Sequence, residues 1–188
     1  MRRTLITAVL FTLVTTVIFG LAYPLLVTGL AQLFFKDKAN GQLIKKDGVL
    51  VGSRLIGQPF SSPKYFHSRP SAAGSGYDAA NSGGSNLGPT NQKLIDRMKQ
   101  DAAVAEMDHP GSDVPIDLVT TSASGLDPDI TPAGAEYQVA RIARERGLTP
   151  DAVHRLVLKH TEPRQFGVLG EAHVNVLELN LELDQLTK

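Results

Sequence analysis

The chain has 188 residues, with 19 basic and 19 acidic side chains and no cysteine. This length accommodates one soluble domain and a short additional element. Balanced charge gives no electrostatic reason to expect nucleic-acid binding, which requires clustered Lys and Arg, and the lack of cysteine excludes disulfides and thiolate metal sites.

The N-terminal segment, residues 1–35, predicts a single transmembrane helix. Positions 4–35 carry no charged side chain, whereas a bilayer core needs only ~20 apolar residues. A helix satisfies its own backbone hydrogen bonds, as lipid demands. We place the span at about residues 5–30 and a soluble extramembrane domain at residues 36–188.

Basic residues flank the apolar segment on both sides. Arg2 and Arg3 could begin a cleaved signal peptide, but cleavage after Ala22 would leave an uncharged apolar tail, which a retained anchor explains better. By the positive-inside rule the two arginines place the N-terminus inside, while Lys36 and Lys38 favour the reverse orientation. We expect the soluble domain on the outer face of the membrane.

Three residues inside the apolar segment suit packing against a partner helix. Gly20 and Gly29 allow backbones to approach closely, and Pro24 removes one helical hydrogen bond and predicts a kink. The alternative is that glycine and proline are simply commoner in membrane helices than in soluble ones. We predict that Gly20, Pro24 and Gly29 face another protein.

The remainder of the chain predicts a small α+β domain. Asp47-Gly48 between two apolar runs predicts a hairpin, residues 116–120 predict a short strand, and residues 174–186 fit both periodicities, with helix favoured. Three helices have start signals, and Gly147 is a stop signal for the second of them. The caps are Thr90 or Asn91, then Thr131 before Pro132, then Thr149 before Pro150; Arg141, Arg144 and Glu145 are expected to face solvent.

Small and polar side chains dominate residues 68–91, and by composition this stretch is a flexible linker. It contains a Ser-Gly-Gly-Ser sequence whose backbone amides could cradle a phosphate, although the Walker A pattern and its lysine are missing. An ordered structural loop is the alternative. The candidate nucleotide-proximal loop comprises Asn81, Ser82, Gly83, Gly84, Ser85 and Asn86.

Other candidate chemistry is sparse. Ser122 and Ser124 lack the spacing of a nucleophile elbow and are better suited to a turn. Histidines at metal-binding helical spacing are missing, and Asp127 and Asp129 suit a solvated loop better than a hard-cation site. We predict no catalytic residue and no metal site; a hydrolase using Ser124 and a tethered solute-binding module are the alternatives.

Several motifs follow one another along nearly the whole chain. They are YPLL (23–26), GSRLIGQ (52–58), YFHSRPS (65–71), SGGSNL (82–87), VTTSASGLD (119–127) and VNVLELN (174–180). In this order and at this spacing they resemble the C subunit of the Kdp-type high-affinity potassium-transporting ATPase.

The resemblance implies a non-catalytic accessory subunit in a bacterial inner-membrane complex. Its partners would be a P-type ATPase subunit, a potassium-channel-like subunit and the lipid bilayer, and no nucleic acid. In that family the C chain is described as a catalytic chaperone that raises the pump's affinity for ATP. ATP would then be met only transiently, with no tightly bound cofactor.

Some members of that family carry a glutamine before the Ser-Gly-Gly-Ser loop that is tied to nucleotide binding. Asn81 stands near that place here and offers a similar amide on a shorter stem. A subunit that caps the potassium entrance or holds the assembly together, without touching ATP, is the alternative mechanism. Because the resemblance is dense in residues 68–91, we expect this stretch to be ordered in the complex.

Overall fold

The structure is a computed structural model that describes residues 1–186. The chain divides into two compact units, the first spanning Met1–Ile44 and the second beginning at Lys45. Together the units combine an N-terminal apolar helix with a small domain of helices and short strands. The predicted α+β class is therefore confirmed.

One continuous helix, Arg2–Phe34, forms most of the first unit and is long and apolar enough to cross a membrane. It consists of α1 (Arg2–Thr15), a π-helical segment (Thr16–Ala22) and α2 (Tyr23–Phe34). The mean hydropathy of its most apolar stretch is 2.4, and no side chain of that stretch is buried. Apolar surface on this scale calls for lipid or protein cover. A short helix α3 (Lys36–Ala39) follows.

The π-helical segment ends at Ala22, two residues before Pro24. In a regular α-helix, proline lacks one donor and its ring collides with the carbonyl four residues earlier, here that of Gly20. In the π-helical segment the backbone pairs with residues five positions back instead of four, so the Tyr23 N–H donates to the carbonyl of Ile18. The helix thus continues through Pro24 rather than ending there.

A hairpin and a long helix come next along the chain. Strands β1 (Leu43–Lys46) and β2 (Val49–Ser53) form a two-stranded sheet, as the Asp-Gly pair between them predicts. Helix α4 (Gln92–Asp108) begins at Asn91, whose side chain accepts a hydrogen bond from Lys93 N. The prediction of Asn91 as the cap is confirmed.

Residues 116–120 do not form the predicted strand. Ile116–Leu118 is a single turn of 3₁₀-helix that follows Pro115. Its central residue, Asp117, is buried, and its carboxylate accepts a hydrogen bond from Thr131 N at 2.7 Å. A tertiary contact of one side chain therefore decides the local backbone, which the apolar pattern alone could not reveal.

Three helices and a small sheet enclose the core. The sheet has three strands, β3 (Asp129–Ile130), β4 (Thr161–Glu162) and β5 (His173–Asn175). The central strand is β5, which pairs antiparallel with β3 on one side and with β4 on the other. Helices α5 (Pro132–Arg146), α6 (Pro150–His160) and α7 (Val176–Leu186) pack around it. The buried core side chains are Phe66, Ile130, Ala135, Val139, Ile142, Ala143, Val153, Leu156, Val157, Val174, Val176, Leu179 and Leu183.

The predicted helix signals of α5 and α6 are confirmed. The Thr131 and Thr149 hydroxyls accept hydrogen bonds from the backbone amides three residues on. Gly147 ends α5 in the left-handed region at φ +65°, where its lack of a side chain avoids strain. The C-terminal prediction is correct from Val176 onward, because residues 173–175 are a strand.

Asn175 marks the change from strand to helix at the start of α7. Its Oδ1 accepts a hydrogen bond from Glu178 N at 3.2 Å, as a helix N-cap does. Its Nδ2 donates to the carbonyl of Arg54 at 3.0 Å and to Asp129 Oδ1 at 3.1 Å. This one buried amide ties the helix start to the sheet and to the end of β2.

The extended segment around Phe66 is held by side chains rather than by a neighbouring strand. Asn180 accepts from Phe66 N and donates to Phe66 O, both at 2.9 Å. Gln138 does the same for His67, at 2.8 and 3.1 Å. Backbone groups that a sheet would satisfy are satisfied here by two amides, so the aromatic ring of Phe66 is fixed in the core.

Arg141 is buried, which corrects the expectation that it faces solvent. Only 3% of its side chain is exposed. Its guanidinium donates to the carbonyls of Pro63 and Tyr65, to Gln138 Oε1 at 2.7 Å, and lies 2.7 Å from Asp108 Oδ2. A buried arginine is tolerated here because its two Nη atoms donate three hydrogen bonds and its charge pairs with Asp108.

Candidate functional site

The predicted nucleotide-proximal loop lies against a second loop of the same domain. The N–H of Gly83 donates to the carbonyl of Ser124 at 2.8 Å, and the Ser82 hydroxyl donates to the same oxygen at 2.9 Å. A Cβ on Gly84 would lie 3.1 Å from the carbonyl oxygen of Ala123. The lack of a side chain at Gly84 therefore permits close packing of the two backbones. We call residues 69–86 and 119–127 the loop cluster.

Gly125 is the closest point of contact inside the loop cluster. Its φ is +67°, and a Cβ there would lie 2.6 Å from both Ala73 N and Gly83 O. A side chain at this position would therefore force the two loops apart. The Ser71 hydroxyl adds a hydrogen bond to the Gly125 carbonyl at 2.6 Å and accepts one from Tyr77 N at 2.7 Å.

An ion pair closes the other end of the loop cluster. Arg69 Nη1 lies 3.0 Å from Asp127 Oδ2, and the same guanidinium contacts the carbonyl and the hydroxyl oxygen of Thr120, each at 3.3 Å. The Tyr77 hydroxyl donates to the carbonyl of Arg69, and burial raises the pKa of that phenol. Residues 68–91, whose composition predicts a linker, are thus held in place from Arg69 to Gly83.

Asn81 interacts within its own turn. Its Nδ2 donates to Asp78 Oδ2 at 2.6 Å, and the Ala80 amide donates to Asp78 Oδ1 at 2.9 Å. The hydrogen bond from the Asn81 side chain has the largest effect on the Asp78 carboxyl, followed by that from the Ala80 amide, and both lower its pKa. Asn81 therefore has a local partner that any ligand would have to replace.

Ser85 and Asn86 are the members of the predicted loop whose side chains remain available. Among the residues that the structure describes, neither side chain makes a hydrogen bond. Ser85 is half-buried and Asn86 is exposed with φ +52°. The loop therefore uses its first half for packing against residues 122–125 and presents its second half outward.

The serines of the opposite loop act in turn geometry, as their spacing predicts. Gly125 N donates to Ser122 Oγ at 2.9 Å, and Leu126 N donates to Ser124 Oγ at 3.1 Å. Both hydroxyls thus accept from backbone amides two or three residues ahead. The hydrolase alternative requires a histidine beside Ser124, and Ser122 Oγ at 3.4 Å is instead its neighbouring side chain.

The carboxylates considered as cation ligands have protein partners. Asp127 pairs with Arg69, and Asp129 Oδ1 accepts from the side chain of Asn175 at 3.1 Å. Burial raises the pKa of Asp129, while the nearby His173 opposes that shift. Within residues 1–186 there is no group of three or more His, Cys, Asp or Glu side chains that could hold a metal ion.

The predicted partner-facing residues of the membrane helix have open surroundings within the chain. A Cβ on Gly20 would meet only the methyl of Thr16 at 3.8 Å, and one on Gly29 would meet nothing within 4 Å. Gly20 lies in the π-helical segment and Pro24 near the start of α2. This surface has room for another helix, and its packing against a partner stays a prediction.

A groove of about 550 Å³ lies between α4, α5 and residues 59–70, and the sequence patterns did not indicate it. Arg141, Asp108 and His67 line it together with Phe60 and Tyr137. Burial and, secondly, the charge of Arg141 lower the pKa of His67. One feature of the sequence could have indicated this groove: Gln138 and Arg141 are polar and lie three positions apart on the same helix. If such side chains are buried, they need hydrogen-bond partners nearby.

Comparison with known proteins agrees with the motif order. A family model described as K+-transporting ATPase, c chain, matches residues 5–185. Proteins named potassium-transporting ATPase KdpC subunit are similar throughout: that of Koribacter versatilis is 66% identical, covering 98% of this chain and 95% of its own length. Those of Acidobacterium capsulatum and Bradyrhizobium diazoefficiens are 58% and 50% identical, covering 96% and 98% of this chain and 97% and 98% of their own lengths. The chain belongs to the K+-transporting ATPase c chain family.

Proposed function

We propose that the chain is a non-catalytic accessory subunit of an ATP-driven potassium import complex, and that it raises the ATP affinity of the P-type ATPase subunit. The observation that carries this proposal is the family match over residues 5–185. A single apolar helix suited to a bilayer supports membrane association. The partners would be the ATPase subunit and the potassium-channel-like subunit of the same bacterial inner-membrane complex.

The geometry of the loop cluster favours an indirect effect on ATP affinity. A phosphate cradle needs several free backbone amides aimed at one point, but the Gly83 amide already donates to Ser124 and Gly84 packs against Ala123. Ser85 and Asn86 are the groups best placed for a direct contact. The loop cluster would then act chiefly as a rigid surface that another subunit recognises.

The orientation of the chain in the membrane also bears on whether it acts on ATP directly or indirectly. Arg2 and Arg3 before the apolar helix favour a domain on the outer face. ATP and the pump's nucleotide domain are inside, so an outer domain would change ATP affinity through the assembled complex. Packing of Gly20, Pro24 and Gly29 against a neighbouring helix would supply one path for this coupling.

The deciding experiment is potassium-stimulated ATP hydrolysis across ATP concentrations, by membrane complex with and without this chain. We expect removal of the chain to raise the ATP concentration at half-maximal rate while leaving the maximal rate largely unchanged. Normal turnover at every ATP concentration would overturn the proposed effect on ATP affinity.

Matched variants separate direct from indirect action. Ser85→Ala and Asn81→Ala, each in the full complex, should leave the half-saturating ATP concentration at the wild-type value if the effect is indirect. Ser75→Ala, at an exposed position of the same loop region, is the control. A rise with Ser85→Ala or Asn81→Ala alone would support direct nucleotide contact.

A second candidate function, capping of the potassium entrance or assembly without nucleotide contact, is favoured by the internal hydrogen bonding of the loop cluster. It predicts that removal of the chain dissociates the complex or lowers potassium affinity. Native mass spectrometry of the complex and potassium titration of ATP hydrolysis distinguish it from the first proposal.

A further inference from the structure

The loop between β4 and β5, residues 163–172, presents an apolar tip to solvent. Phe166 is 86% exposed, Val168 73% and Leu169 56%. Single exposed apolar side chains are normal on protein surfaces, but here three lie within four positions of one short loop. We call Phe166, Val168 and Leu169 the apolar tip.

The apolar tip is held by a regular set of backbone hydrogen bonds. Gln165 and Leu169 exchange two of them, N–H to carbonyl, both at 2.9 Å. Gly167 N donates to the Arg164 carbonyl at 3.0 Å, and the Arg164 and Glu171 side chains form an ion pair across the base of the loop. The side chains of the tip are therefore displayed on an ordered turn, which lowers the entropy cost of binding.

Phe166 occupies a backbone conformation that does not suit it. Its φ is +54°, in the left-handed region where an L-residue with a bulky side chain costs about 1 kcal/mol relative to glycine. Folding alone would be served better by glycine at this position. Exposure together with strain points to a role for the phenyl ring outside the chain itself.

The size of the apolar tip limits what can cover it. Three such side chains offer on the order of 300 Å² of apolar surface, whereas a stable protein–protein interface buries roughly 800 Å² on each partner. A second copy held by the tip alone would not be stable. The tip suits a chain that is already tethered to its partner elsewhere and needs one further anchor.

Charge argues against a lipid surface as the partner. Arg164 and Glu171 are the charged residues of 163–172 and they pair with each other. Binding to anionic headgroups needs an excess of Lys and Arg beside the apolar group, and interfacial anchors favour Trp or Tyr. An uncharged tip matches an uncharged, apolar cleft in a protein.

We infer that the apolar tip is a docking anchor, and that Phe166, Val168 and Leu169 insert into an apolar cleft on another subunit of the potassium-transporting complex. This inference rests on the proposed role as a subunit of that complex. It adds a second contact surface beside the loop cluster, and it makes the phenyl ring of Phe166 the central contact of that surface, as aromatic side chains commonly are in interfaces.

A photo-crosslinking amino acid at position 166 of the full-length chain, within the intact membrane complex, tests the contact directly. Leu158, which is 58% exposed on α6, is the matched control position. We expect position 166 to crosslink to a partner subunit with at least tenfold higher yield than position 158. A lipid adduct, a crosslink to a second copy of this chain, no product, or equal yields at both positions would each overturn the inference.

Substitutions separate docking from folding. Phe166→Gly removes the ring and also relieves the positive φ, so the full-length chain should unfold at the same or a slightly higher denaturant concentration. Its retention in the complex during detergent purification should fall roughly tenfold or more, and Leu169→Ser should act in the same direction while Leu158→Ser should not. Wild-type retention of both Phe166→Gly and Leu169→Ser would contradict docking.

The docking inference and the proposed function can fail separately. If the complex lacking this chain keeps the wild-type ATP dependence, the effect on ATP affinity fails whatever position 166 contacts. If that dependence changes but position 166 crosslinks only to lipid or to nothing, the docking inference fails alone.

Discussion

The side-chain amide of Asn180 forms two hydrogen bonds with the backbone of Phe66, one from the Phe66 N–H and one to its carbonyl, each 2.9 Å long. Asn180 is 2% exposed and Phe66 is fully buried. The pair joins α7 to a segment 114 residues earlier in the chain that has no regular secondary structure. This contact positions Phe66, the largest of the fully buried side chains in the described residues.

Asn180→Leu should destabilise the chain by about 2–5 kcal/mol, because it leaves two buried backbone groups of Phe66 without partners. Chemical denaturation of the full-length protein in detergent measures the change. Gln185→Leu, at an exposed position on the same helix, is the control and should change stability by less than about 0.5 kcal/mol. Equal effects of both substitutions would show that the amide is dispensable.

Gly125→Ala should loosen the loop cluster, since the residue has φ +67° and a new Cβ would lie 2.6 Å from Gly83 O. We expect a loss of about 1–3 kcal/mol and faster limited proteolysis within residues 68–91. Gly83→Ala provides the comparison, because a Cβ there meets nothing within 4 Å. Similar protease resistance of the two variants would contradict the packing role of Gly125.

Arg141→Met should cost about 3 kcal/mol, because it removes the ion-pair partner of Asp108 and the hydrogen-bond donor to the Tyr65 carbonyl. Arg144, whose side chain is 64% exposed, lies on the same helix and serves as the control. Thermal unfolding of the full-length variants compares them. A stability of Arg141→Met equal to that of Arg144→Met would show that the buried guanidinium contributes nothing net.

His67 should give the chain a pH-dependent stability. Burial lowers its pKa below 6.5 in the folded state, so below that pH the unfolded chain binds the extra proton first and stability falls with falling pH. His67→Gln should reduce this slope between about pH 7 and the folded-state pKa. Denaturant midpoints measured across that range for both proteins provide the test. An unchanged slope would assign the effect to other groups.

Local signals in the sequence predicted much of the fold correctly. The hairpin at Asp47-Gly48 and the starts of α5 and α6 follow from turn and capping chemistry, which acts over three or four residues. The π-helical segment before Pro24 and the 3₁₀ turn at Ile116–Leu118 were not predicted. The first is a wider turn than the α-helix and the second a tighter one, and hydrophobic periodicity does not distinguish them from regular helix or strand.

The candidate site was likewise predicted only in part from the sequence. Motif order predicted a functional role for the loop 81–86, but it could not show that Gly83 bonds to Ser124 forty-one residues later. The burial of Arg141 was missed for a related reason, because its acceptors at Pro63 and Tyr65 come from distant sequence. Composition likewise favoured a linker at 68–91, whereas hydrogen bonds from Arg69 through Gly83 tie much of this stretch to residues 120–127.

By itself the sequence determined the apolar membrane helix, the α+β class, the helix caps and the family, because these depend on uninterrupted hydropathy, short-range hydrogen bonding and motif order. The tertiary structure alone decided which glycines bring two loops into contact, which polar side chains are buried, and which apolar side chains stay exposed. Those features arise when residues far apart in the chain compete for the same space and the same hydrogen-bond partners. The exposure of the apolar tip at Phe166 belongs to the features that only the tertiary structure decided. An apolar residue in a loop can be buried or exposed, and its sequence does not show whether the folded core covers it.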